Sequence, residues 1–247
     1  KGERYTIESL KYGIPDQRMR ELYFADSNKR EIKVGKPFDL EEMKKERKRI
    51  ERIMKTEGYY DFSREFVVFQ ADTSMRKKSS KLTLNIKNKQ QEYGGSDSLV
   101  ESPHKIYFIS KVYVRMDFDE RVRRNTMTDT VELDDLIFTE SGKPQFRYEV
   151  IARSIFIRPD QIYDLKKQED SYRNLTSLGV FSYVSIKYEE DYEKSGPYLV
   201  VYIDLNPRKQ KAYTVLTEGT NNGGNLGVNA NITFLNRNTF GGAELLN

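Results

Sequence analysis

Cysteine and tryptophan are missing from all 247 residues, and histidine occurs once, at His104. Without thiols there are no disulfides, no thiolate metal site and no cysteine nucleophile. A Ser-His-Asp machine would have to run through His104, and no strand-turn-helix elbow surrounds any serine. His104 follows Pro103 with no carboxylate at metal-ligand spacing, so it reads as a solvated loop residue. No run of 18 apolar residues exists either, which excludes a membrane-spanning helix but says nothing of membrane-spanning strands. The reading is of a protein that is not an enzyme, with no catalytic residue, no metal ligand and no cofactor. The chain opens on Lys1-Gly2-Glu3, without a Met or a signal-like apolar core, and is expected to be a fragment.

What is present is a patterned chain, 32% charged and 37% hydrophobic, with 17 Tyr and 13 Phe, too aromatic for a disordered one. Positive charge gathers at the start: residues 1–92 hold 23 Lys and Arg against 16 Asp and Glu, and the remainder 19 against 22. Much of it lies on one helix. Phe38-Asp39-Leu40-Glu41-Glu42 has an N-cap Asp with Glu at the third helical position. Leu40, Met43, Ile50, Ile53 and Met54 then form an apolar face that Gly58 closes. Lys44, Lys45, Arg47, Lys48, Arg49, Arg52 and Lys55 occupy the other face. Glu41, Glu46 and Glu51 interrupt them at spacings that allow pairs such as Glu41–Lys45 and Glu51–Lys55. The face therefore reads as solvated, with anionic headgroups or nucleic acid as rival readings.

In order, a strand at 4–16 leads to a short helix capped by Asp16, with Met19, Leu22 and Tyr23 on one stripe. The long helix follows, then strands Phe66–Phe69 and Lys81–Lys87. Residues 90–103, rich in Gly and Ser, read as a linker. The same order then recurs: a strand at 106–116, a polar insertion at about 119–143 with an extra strand near Thr130–Phe138, and a helix around Phe146–Ile155. A second long helix carries Leu165, Tyr172, Leu175 and Leu178 toward the core and ends at Gly179. Strands at 181–188 and 198–205 complete the unit. Tyr163-Asp164-Leu165 repeats Phe38-Asp39-Leu40, an internal duplication. Asp134-Asp135 and Glu189-Glu190-Asp191 read as solvated surface. Gly223-Gly224-Asn225-Leu226-Gly227 lacks the Lys-Ser/Thr of a phosphate loop and reads as a hairpin tip.

Beyond Pro207 the pattern changes. Leu226, Val228, Ala230, Ile232 and Phe234 are apolar, while Gly227, Asn229, Asn231 and Thr233 between them are small or polar. That fits a transmembrane β-strand, and equally a half-buried strand of a soluble sheet. Asn236-Arg237-Asn238-Thr239-Phe240-Gly241-Gly242-Ala243-Glu244 resembles the signature at the second barrel strand of the BamA/TamA family of outer-membrane assembly proteins. The repeated β-α-α-β-β unit resembles the polypeptide-transport-associated (POTRA) domain. Leu175-Thr176-Ser177-Leu178-Gly179-Val180-Phe181 is similar to an element of the last such domain before the barrel, and Tyr198–Pro207 to its closing strand. The insertion resembles the longer last domain of the Bacteroidetes members called TamL.

The resemblance implies an α+β fold of two tandem β-α-α-β-β POTRA domains followed by the first strands of a transmembrane β-barrel. The domains would be 1–92 and 105–209, joined by a linker at 93–104, with barrel strands from 210 to 247. It implies an outer-membrane location with residues 1–209 in the periplasm, and clients that are unfolded outer-membrane proteins. Partners would include a periplasmic or inner-membrane-anchored assembly protein, TamB-like or a BAM accessory protein, and outer-membrane lipid; no nucleic acid is implied. Clients would add a strand at an open sheet edge. The nominated edges are Phe66, Val67, Val68 and Phe69, then Tyr183, Val184, Ser185 and Ile186. Leu226, Val228, Ala230, Ile232 and Phe234 would face lipid. Two rivals stay open, a two-partner-secretion-type transporter and a basic module for lipid headgroups or nucleic acid.

Overall fold

In the computed structural model the chain divides into two units, residues 1–107 with 162–165, and residues 108–161 with 166–247. The structure describes residues 5–72, 79–92, 99–116, 129–140, 144–222, 225–237, 242–243 and 245–246.

The first unit runs β1 (Thr6–Gly13), α1 (Gln17–Ala25), α2 (Leu40–Thr56), β2 (Val67–Asp72) and β3 (Ser79–Ile86). Its sheet has the order β1-β3-β2, with β1 parallel and β2 antiparallel to β3. Asp16 accepts the Met19 N–H and Asp39 the Glu41 N–H, so both helices start where an aspartate supplies the missing acceptor. Gly58, at φ +100°, ends α2 in the left-handed conformation glycine adopts without strain. Met19, Tyr23, Ile50, Met54, Val67 and Leu84 are buried in one cluster beneath the helices.

Three sequence expectations fail here. Leu40 is 65% exposed. It is the first helical residue, and side chains on a helix lean back toward its N-terminus, here beyond the first turn. Glu46, placed by sequence on the charged face, is fully buried and continues the Met43–Ile50–Met54 stripe. The linker holds a hairpin of β4 (Lys89–Glu92) and β5 (Leu99–Ser102); its tip, 93–98, lies outside the described residues.

The second unit repeats the path: β6 (Phe108–Arg115), β7 (Asp129–Leu133), β8 (Leu136–Glu140), α3 (Tyr148–Ser154), α4 (Leu165–Ser177), β9 (Phe181–Glu190) and β10 (Tyr198–Pro207). β10 lies parallel to β6 and antiparallel to β9, as β3 does to β1 and β2. The inserted segment forms two strands where the sequence indicated one. Asp134 and Asp135, at φ +51° and +61°, make a two-residue turn that matches the strand twist. β8 then pairs with β6, giving the order β7-β8-β6-β10-β9. Residues 117–128 and 141–143 of the insertion lie outside the described residues. On α4 the core positions are Ser171 and Leu175, while Tyr172 points outward. The Ser171 hydroxyl accepts the Phe156 N–H at 2.8 Å and donates to the Lys167 carbonyl at 2.7 Å, so the incoming chain passes too close for a tyrosine.

One stitch occurs twice. Ile7 N–H donates to Lys36 O, Gly35 N–H to Ile7 O, and Phe38 N–H to Tyr5 O. Ile109 N–H donates to Gln161 O, Asp160 N–H to Ile109 O, and Tyr163 N–H to Tyr107 O. Gly35 (φ +81°) and Asp160 (φ +59°) hold the same left-handed position. The helix-helix connection thus lies along the start of the first strand both times.

The chain ends in β11 (Lys211–Asn222) and β12 (Asn225–Arg237), an antiparallel hairpin, with β13 (Leu245–Leu246) beside the base of β12.

Candidate functional site

Each sheet leaves its second long strand at an edge, β2 in the first and β9 in the other. Which backbone groups face outward follows from the ladder. Lys87 N–H bonds Phe66 O, so Val68 and Gln70 lie in hydrogen-bonded pairs with Asn85 and Thr83, and their N–H groups point into the sheet. Phe69 and Ala71 point outward. Asp191 N–H bonds Tyr198 O, which by the same alternation turns Tyr183 and Ser185 inward and Val184 and Ile186 outward.

The nominated residues therefore separate. Phe66 is not on the strand: it closes a 3-10 turn at Arg64–Phe66, donates to Ser63 O, and packs on Phe62. Val67 donates its N–H to Arg64 O, and its side chain is buried. Val68 is spent on β3. Of the four, Phe69 alone offers an outward amide, and Ala71, which sequence reasoning did not nominate, offers the next. In the other edge Val184 and Ile186 qualify and Tyr183 and Ser185 do not. Strand assignment alone could not show this, because the alternation is set by pairing to a distant strand.

The remaining edges are less accessible. The stitch covers the start of β1 and of β6, and β8 pairs with β6 over Tyr113–Arg115. The edge this creates, β7, is five residues long and carries Glu132.

The β11–β12 hairpin is exposed over residues 213–220 and 227–234. Register places Tyr213 opposite Phe234, Val215 opposite Ile232, Thr217 opposite Ala230 and Gly219 opposite Val228 on one face. Val228 is 85% and Ile232 70% exposed, Ala230 is also exposed, and the Tyr213 and Phe234 rings lie 4.9 Å apart. Leu226 pairs with Asn221 through the backbone; its side chain lies outside the described residues. The opposite face carries Thr214, Glu218, Thr220, Asn229, Asn231 and Thr233, with Ala212, Leu216 and Leu235 as apolar exceptions. So large an apolar strip in water marks a surface meant for an apolar neighbour. The Asn-rich turn and following motif at 238–241 and 244 lie outside the described residues; Ala243 is buried.

The cations of α2 are largely engaged. Lys44 pairs with Glu41 at 2.7 Å, Lys45 with Glu42 at 2.9 Å and Lys55 with Glu51 at 3.7 Å, so Glu41 takes the neighbour three residues on, not four. Arg49 grips the buried Glu46 at 2.7 and 3.1 Å, and Glu46 also accepts the Glu31 N–H. Burial, with that carboxylate beside it, pushes the Tyr23 hydroxyl well above its ordinary range. In the second unit Asp204 is fully buried and bound by Arg115 at 2.5 Å.

His104 is not solvated: it is buried against Phe62 and Phe66, its Nε2 2.9 Å from Lys87 O. Asp191 is likewise buried, accepting the Glu193 N–H. Among the described residues no group of three or more His, Asp or Glu could hold a metal ion, and no helix is long and apolar enough to cross a membrane.

Neither a family model nor a curated sequence matches the chain. Solved structures do. BamA from Haemophilus ducreyi lacking POTRA domains 1–3 superposes with a TM-score of 0.58, at 11% identity, over 96% of this chain and 35% of that one. The chain shares a fold with BamA. It spans about a third of the length of that structure. Lower similarity is found to Haemophilus influenzae BamA POTRA3–5 (TM-score 0.45, 12% identity, 83% and 62% of the two chains) and to CdiB from Acinetobacter baumannii (0.41, 10%, 99% and 37%).

Proposed function

We propose that the chain is the POTRA region and first barrel hairpin of a BamA-like outer-membrane protein that assembles, inserts or translocates other outer-membrane proteins. Residues 1–92 and 105–209 are its two POTRA domains, and 210–247 begin the barrel. The observation that carries the reading is the hairpin: two strands of 12 and 13 residues, apolar on one face, polar on the other, exposed, and directly following a unit of BamA-like fold. Strands of about 9–11 residues span a bilayer, so these are long enough. Ala230 and its apolar neighbours then meet lipid, and Asn229 and Asn231 the lumen. The domains lie in the periplasm and receive unfolded barrel-protein clients at β2 and β9, by backbone pairing at Phe69 and Ala71 and at Val184 and Ile186. Backbone pairing tolerates many sequences, as a general assembly factor requires.

We infer further that the insertion holding β7–β8 belongs to a TamL-type last domain, with a TamB-like or BAM accessory partner. A dedicated secretion transporter would use the same edges for one client. The paired cations of α2 favour a solvated helix face over a nucleic-acid surface.

Residue-resolved amide hydrogen exchange tests the client reading. With an unfolded barrel-strand peptide, Phe69, Ala71, Val184 and Ile186 should slow, while Val68, Gln70 and Ser185 stay as protected as before. Unchanged exchange at all four outward amides under saturating peptide would sink it.

A further inference from the structure

Pairing outward from the stitch aligns the two units residue by residue. Ile7 and Ile109 make the same two bonds to it, a register shift follows each, and Leu10 opposite Leu82 then matches Val112 opposite Val201. On the edge strands, Phe69 opposite Leu84 therefore matches Ile186 opposite Ile203. The repeated Asp-Leu step aligns the long helices, and Arg47 falls where the second unit has Tyr172.

Arg47 stands over the β2 edge. Its guanidinium lies 5.6 Å from the centre of the Phe69 ring, and Phe69 shares the helix-facing side of β2 with Val67 and Ala71. Arg47 is half-buried, its Nε is buried with no acceptor, and it has no ion-pair partner among the described residues. The carboxylates beside it on α2 are committed, Glu46 to Arg49 and Glu51, one turn on, to Lys55. Asp72 falls on the opposite face of β2. A cation half withdrawn from water without a counter-charge is costly, and the guanidinium fork is shaped to take a carboxylate.

A docked strand can bring one. Phe69 turns its N–H and C=O outward, so in an antiparallel pair both groups bond a single client residue. The side chain of that residue stands on the same face as the Phe69 ring, within reach of Arg47. We propose that β2 selects client strands carrying an Asp or Glu side chain opposite Phe69, with its carboxylate on the Arg47 guanidinium. This selection rests on the client reading of the edges and adds a side-chain requirement to it. β9 makes no such demand, because Tyr172 and Ile186 hold the places of Arg47 and Phe69. One edge thus selects for acid and the other is indifferent to it.

The test titrates the whole chain with two short strand peptides of Thr and Val, one with a central Glu and one with Gln in its place, and follows backbone amide signals by NMR. At Phe69 and Ala71 the Glu peptide should bind about tenfold more tightly than the Gln peptide. At Val184 and Ile186 the two should bind alike. Arg47→Gln should bring the Glu peptide down to the affinity of the Gln peptide at β2, the retained Gln-peptide binding showing that the edge is still folded. Equal binding of the two peptides at β2, the same Glu preference at β9, or a preference that survives Arg47→Gln would each overturn the selection and leave the client reading standing. If neither peptide moved the Phe69 and Ala71 signals, the client reading at β2 would itself fail.

Discussion

Gln70 and Ala71 are neighbours on β2, both exposed, and differ chiefly in where their amides point. Proline at either position removes an N–H, and the residue before it is already extended, so local backbone cost is similar. At Gln70 the lost N–H faces Thr83, whose carbonyl is left without its ladder partner, and the Gln70–Asn85 side-chain bond of 3.0 Å goes as well. Gln70→Pro should therefore cost about 1–3 kcal/mol, a substantial part of the roughly 5–15 kcal/mol that holds a domain together. Ala71→Pro breaks no bond within the sheet and should stay within about 1 kcal/mol of the parent. For a docked strand the order reverses. Ala71→Pro removes one donor to the client and should weaken a barrel-strand peptide about fivefold, while Gln70→Pro spares both outward amides. Urea unfolding followed by circular dichroism gives the first comparison, and fluorescence anisotropy with a labelled peptide the second. If Ala71→Pro proved as destabilising as Gln70→Pro, the assigned alternation would be wrong. If it bound peptide unchanged, β2 would not be the docking edge.

Ile50 and Leu175 are fully buried beneath their helices, so Ile50→Ala and Leu175→Ala should each lower unfolding free energy by about 2–5 kcal/mol, read as a shifted urea midpoint. At the stitch, Gly35→Val forces a β-branched side chain to φ +81° and should cost about 1–2 kcal/mol, whereas Asp160→Gly should be neutral or slightly stabilising. Equal thermal shifts for those two would contradict the shared left-handed position. If residues 210–247 begin a barrel as proposed, Ala230→Arg in the full-length protein would put a charge against lipid, worth roughly 2–4 kcal/mol near the bilayer midplane, and Asn231→Arg would face the lumen. Membrane fractionation should show the first failing to insert and the second inserting.

Local signals in the sequence carried much of this. Asp16, Asp39, Gly58 and Gly179 mark helix ends through chemistry that needs no distant partner, and the repeat of Phe38-Asp39-Leu40 at Tyr163 survives in the stitch. Features set by tertiary contact were not legible. Glu46 looks like any helix-surface acid until Glu31 and Arg49 are seen to close over it. Gly and Ser around position 95 indicated a linker, although Lys89–Glu92 and Leu99–Ser102 pair as strands. The edge residues split for the same reason: composition located strands near 67–69 and 183–186, but the outward amides depend on a register with β3 and β10.

β10 lies between two neighbours and continues after three residues into β11. The exit is clamped, since Arg208 donates its backbone N–H to Val180 O and its side-chain Nε to Phe181 O, both at 2.8 Å. Tension on the hairpin would thus run along the axis of β10. The bonds to β6 and β9 cross that axis and would be strained together, in shear, where a strand peeled from its end gives way one bond at a time. Any pull that enters through β10 would therefore be resisted by two flanking strands at once, β6 and β9.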